Sequence, residues 1–85
     1  MMYKISLSRK AEKGLDKIHQ PWHGRITIAL KKLTIDPYIG KKLEGKYKND
    51  YSIRVWPYRI IYTIKKKELI IEVIEIDHRG GVYRK

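Results

Sequence analysis

Three β-prone runs separated by very short connections constrain this chain more than any other feature. Residues 51–55, 58–64 and 69–76 are rich in Ile, Val and Tyr, side chains that suit a pleated, half-buried surface. Only Trp56-Pro57 joins the first two runs, and only residues 65–68 join the second pair. Parallel neighbours need a crossover of a dozen or more residues, so these strands must run antiparallel as a meander.

The N-terminal half has a different period. Tyr3, Ile5 and Leu7 alternate with polar residues, which predicts a strand. Ser8 suits a helix N-cap, and Ala11, Leu15 and Ile18 then recur at helical spacing. Pro21 interrupts that helix, and Trp22, Ile26, Ala29, Leu30 and Leu33 form the apolar stripe of a second one. Trp22 is therefore expected in the core. Asp36-Pro37 closes the second helix, because a residue before proline disfavours helical geometry. Residues 43–45 are expected as a short lead-in strand. The predicted fold is α+β: an N-terminal strand, a helical hairpin and a three-stranded antiparallel meander, with the helices on one face of the sheet. Residues 1–85 are expected to form one domain.

Charge narrows the partners. Lys and Arg number 20 against 9 Asp and Glu, a formal net charge of +11 on 85 residues. So basic a surface attracts polyanions, and nucleic acid is the natural partner. Part of the excess, such as Lys65-Lys66-Lys67, reads as a solvated surface. There is no cysteine, which fits a reducing cytoplasm and excludes thiolate ligands. No long apolar run suggests a secretory signal or a membrane span.

Parity within the first hairpin locates a candidate site. Tyr51, Ile53, Val55, Tyr58, Ile60, Tyr62 and Ile64 share one apolar face, expected against the helices. Ser52, Arg54, Trp56, Arg59, Ile61 and Thr63 then share an open face. Arg54 and Arg59 fall opposite or diagonal to one another, where like charges destabilise a sheet. Such a pair suits an anion site; equally, two exposed guanidinium groups can splay into water. Beyond the last strand, Gly80-Gly81 allow a sharp turn that brings Arg79, Tyr83 and Arg84 beside the sheet. Arginine forks match phosphate oxygens and an aromatic ring can stack on an unpaired base.

These residues carry a resemblance. The run Tyr51-Ser52-Ile53-Arg54-Val55-Trp56-Pro57-Tyr58-Arg59-Ile60-Ile61-Tyr62 resembles the central hairpin of RelE/ParE-superfamily toxins. Asp77-His78-Arg79-Gly80-Gly81-Val82-Tyr83-Arg84 resembles the His-Arg…Val-Tyr ending of the RelE branch, and Lys42-Leu43-Glu44-Gly45 the family's Lys-Leu-x-Gly. The resemblance spans the chain. It implies a ribosome-dependent endoribonuclease that cuts messenger RNA in the A site by attack of the 2′-hydroxyl, with no metal and no cofactor. By position, Arg54, Arg59 and Arg79 would hold the scissile phosphate, and Tyr83 would stack on or orient a nucleotide. Ser52, Lys46, Lys48, Trp56 and Arg84 would contact RNA, and the other lysines ribosomal RNA. The best-known member has lysine at the positions of Ser52 and Arg54. Arginine holds its proton too tightly to act as a base; His78 is the one obvious substitute in the motif and Lys46 or Lys48 a further source of charge, or else the site has no dedicated base and relies on substrate distortion by the ribosome plus the arginine cluster. The implied partners are the ribosome, its message and a RelB-like antitoxin. An acidic or amphipathic antitoxin segment would cover the basic face or displace the C-terminal tail.

The same fold admits a second implication: the ParE branch, whose members poison DNA gyrase without a nuclease site. The His-Arg-Gly-Gly-Val-Tyr ending favours RelE, whereas Ser52 weakens that preference. His19 and His23 have metal-ligand spacing, but Pro21 lies between them and no thiol or carboxylate completes a set. No metal is expected. Trp56 can stack on RNA or cap the turn.

Overall fold

The computed structural model describes residues 2–45 and 48–78. Strand β1 (Lys4–Leu7) leads to helices α1 (Arg9–Asp16) and α2 (Trp22–Ile35), and a 3-10 turn (Pro37–Ile39) follows. A two-residue strand β2 (Lys41–Lys42) precedes the meander β3 (Asp50–Val55), β4 (Tyr58–Lys65) and β5 (Ile70–His78). The sheet order is β1-β5-β4-β3-β2. All pairs are antiparallel except β1 with β5. The α+β fold and the meander agree with the sequence reading.

The core forms where the helices meet the apolar side of the sheet. Ala11, Ile18, Ile26, Ala29, Leu30 and Leu33 pack with Ile60, Tyr62, Ile71, Val73 and Ile76. Ile18 lies beyond the end of α1 yet is buried. Trp22 departs from expectation: at the first turn of α2 it is 37% exposed, and the buried stripe starts one turn later at Ile26.

The junction of β1, α1 and β5 turns on two small residues. A bulge interrupts the β4–β5 register between Ile61 and Tyr62, so Ile74 has no β4 partner. The Ser8 hydroxyl donates to the Ile74 carbonyl at 2.7 Å and accepts the Ala11 N–H at 3.0 Å. One side chain thus caps α1 and satisfies the bulge. Farther along α1, a Cβ on Gly14 would collide with the Ile76 carbonyl. Glycine lets the helix lie against the edge of β5 beyond the reach of β1.

Two of the differences from the predicted strand boundaries have a backbone cause. Leu69 adopts a φ of 56°, so β5 starts at Ile70. The lead-in strand is Lys41–Lys42 rather than residues 43–45, because Gly45, with a φ of 70°, already belongs to the following turn. Leu43 N–H still donates to the Asp50 carbonyl at 2.9 Å.

Candidate functional site

The two-residue turn after Val55 makes the β3–β4 register unambiguous. Arg54 stands directly opposite Arg59, next to the opposed pair Val55 and Tyr58. On the same face Arg59 is also opposite Asp77 of β5. The next row along the strands is Lys41, Ser52, Ile61 and Glu75, drawn from four strands. Arg54 is exposed and Arg59 half-buried. This face is not open throughout, since Ile61 is only 3% exposed although it lies outside the helix-side core. Parity therefore located the arginine pair but overstated the exposure of its neighbour.

The structure divides the other expected site residues. Ser52 belongs to the arginine face. Trp56 sits at the hairpin tip, 63% exposed. His78 does not join the arginines: it is opposite Tyr58, on the helix side, and meets that ring edge-on at a centroid distance of 5.5 Å. Strand alternation is the reason, because Tyr58 and Arg59 are adjacent and point to opposite faces. His78 instead lines a groove of about 400 Å³ with Lys10, Lys13, Lys17 and Tyr58. Lys48 lies in the turn before β3, and the four steps along the strand from Asp50 to Arg54 alone span ~13 Å. Lys46, Arg79, Tyr83 and Arg84 lie outside the described residues.

One cation of the face was not singled out from the sequence. Lys41 pairs with Ser52 and is thus the diagonal neighbour of Arg54. Diagonal positions across antiparallel strands are roughly 7–8 Å apart, within reach of long side chains. The missed signal was a strand made of two lysines, a composition with no β preference.

A buried tyrosine fixes that short strand. Tyr62 is fully buried; its hydroxyl donates to the Pro37 carbonyl at 2.8 Å and accepts the Gly40 N–H at 3.2 Å. Burial pushes the hydroxyl up to about 12 from its ordinary value near 10, against the Gly40 N–H, which lowers it. Gly40 is also a close approach, since a Cβ there would meet Tyr62 Oη and lie 2.8 Å from the Ser52 carbonyl. Tyr51 stacks on Tyr62 at 5.7 Å, and Tyr38 meets Tyr51 edge-on at 5.9 Å. The turn from Pro37 to Gly40 is thereby tied to the sheet immediately before Lys41.

Known proteins share this fold. Residues 5–83 match the family described as ParE toxin of type II toxin-antitoxin system, parDE. The chain is similar to Toxin RelG of Mycobacterium tuberculosis, with 25% identity over 87 residues and full coverage of both chains. Its fold is similar to that in the RelBE2 toxin-antitoxin complex of the same organism. There the TM-score is 0.85 at 23% identity, covering 93% of this chain and 100% of that one. Against the archaeal RelE-RelB complex of Pyrococcus horikoshii the TM-score is 0.80 at 24% identity, with coverages of 94% and 98%. The isolated E. coli RelE toxin gives 0.80 at 22% identity, covering 89% of this chain and 83% of that one. With the family match spanning nearly the whole sequence, this chain belongs to the RelE/ParE superfamily of type II toxins.

Proposed function

We propose that this toxin is an endoribonuclease that cuts messenger RNA in the ribosomal A site and is restrained by a cognate antitoxin. The observation that carries the reading is the direct opposition of Arg54 and Arg59 on the non-helix face. Two guanidinium groups side by side present planar donors to one place, and a phosphodiester matches that geometry. The charge that develops on phosphorus oxygens during 2′-hydroxyl attack strengthens those contacts, so the pair favours the transition state over the ground state. Ser52 and Lys41 in the adjoining row extend the polar surface along the same strand of RNA. A net charge of +11 supplies long-range attraction to ribosomal RNA. His78 takes no part in holding this phosphate, since it faces the helix side. The similar structures include RelE-RelB complexes, which supports a RelB-like antitoxin for this chain.

Gyrase inhibition is the second reading, favoured by the ParE description of the matching family. Purified protein added to programmed ribosomes, with message ends mapped by primer extension, separates the two when run beside a gyrase supercoiling assay. Cuts confined to the A-site codon with normal supercoiling are expected. Intact message with blocked supercoiling would transfer the protein to the gyrase reading.

A further inference from the structure

Neither arginine of the site serves as a proton donor, because a guanidinium delocalises its charge and holds its protons too tightly. Cleavage by the 2′-hydroxyl nevertheless expels a 5′-oxygen that must gain one. His78, the nearest imidazole in sequence, lies on the other side of the sheet. The described positions registered on the arginine face through these two rows are Lys41, Ser52, Arg54, Arg59, Ile61, Glu75 and Asp77. Glu75 is engaged by Lys10 at 3.4 Å, and an Asp77 oxygen accepts the His78 N–H at 2.8 Å. Lys41 is exposed and forms no ion pair among the described residues. It is the only group in this set that is both cationic and able to give up a proton.

Its placement is also unusually well supported for an exposed lysine. A two-residue strand on the edge of a sheet has little stability of its own. Here it is held by the fully buried Tyr62 hydroxyl on Gly40 N–H and by a glycine that alone fits against Tyr62 and the Ser52 backbone. The product of this anchoring is a lysine diagonal to Arg54, opposite a serine too small to block its path toward the arginines.

We propose that Lys41 is a catalytic residue of the RNA-cleaving site, donating a proton to the departing 5′-oxygen. This rests on the ribonuclease reading above. The 2′-oxygen forms a bond to phosphorus as its proton passes to water. The P–O5′ bond breaks, and its electron pair takes a proton from the Lys41 ammonium. The products are a 2′,3′-cyclic phosphate and a 5′-hydroxyl, and solvent reprotonates the amine.

The test is single-turnover cleavage of message on programmed ribosomes by wild type, Arg54→Ala, Lys41→Gln and Lys41→Arg. Lys41→Gln is expected to lose on the order of 100-fold in rate, the usual contribution of a general acid. Lys41→Arg keeps the charge, so it should retain KM within a few-fold yet lose rate similarly. A message with sulfur in place of the scissile 5′-oxygen needs no protonation of its leaving group. It should restore Lys41→Gln to near the wild-type rate while Arg54→Ala stays slow. If Arg54→Ala is slow but Lys41→Gln cuts normally, or is not rescued by sulfur, the role of Lys41 is overturned and the arginine site stands. If wild type does not cut, or Arg54→Ala cuts normally, the ribonuclease site itself fails, and Lys41 with it.

Discussion

At the residue scale, Tyr62 shows how an apolar core can set the geometry of a polar surface. Its ring belongs to the core and its hydroxyl to the turn before β2, so a single side chain joins the two. Tyr62→Phe would leave the Gly40 N–H and the Pro37 carbonyl without this partner and should cost about 1–3 kcal/mol in urea unfolding at neutral pH. The hydroxyl also has a pH signature. Folding raises it to about 12 from 10, so the folded state holds a proton that the unfolded state releases. Its contribution is complete below pH 10 and is lost as pH rises toward 12, by up to roughly 2–3 kcal/mol. Comparing wild type with Tyr62→Phe across this window cancels the other tyrosines and the lysines. A difference between the two that does not shrink with rising pH would contradict the assignment.

At the scale of elements, α1 is held at the edge of β5 by what Gly14 lacks. Alanine favours a helix interior over glycine by about 1 kcal/mol, so Gly14→Ala ought to stabilise an isolated α1. In the protein its methyl group would meet the Ile76 carbonyl, and overpacking of this kind costs ~1–3 kcal/mol. A net loss of stability in denaturant unfolding is expected; a gain would mean that α1 lies farther from β5. The helices, the meander and the arginine pair were legible in the sequence because each rests on local periodicity or on a turn too short to permit another register. The parallel pairing of β1 with β5 was not, since Lys4 and Ile70 are brought together only by the tertiary fold. Nor was β2, whose two lysines carry no strand signal and which exists because Tyr62 and Gly40 fix the chain before it. The side taken by His78 follows from the β4–β5 register. That register includes a bulge opposite the Ile61–Tyr62 step, which a period-two count along β5 cannot anticipate.

At the scale of the whole molecule, stability and function pull the surface in opposite directions. A net charge of +11 on 85 residues repels itself, and the Arg54–Arg59 row concentrates that repulsion at one point. Carboxylates offset part of this charge locally, as Glu72 does for Lys65 at 3.2 Å and Glu75 for Lys10, and Asp77 stands opposite Arg59. A pair retained in opposition on a small sheet is expected to bind an anion, here the scissile phosphate. The most direct test is the single-turnover rate of message cleavage by Arg54→Ala on programmed ribosomes. Arg54 is exposed, so its loss should leave folding intact and even relieve repulsion, while the rate falls about 100–1,000-fold. A folded Arg54→Ala protein that cuts at the wild-type rate would contradict the account.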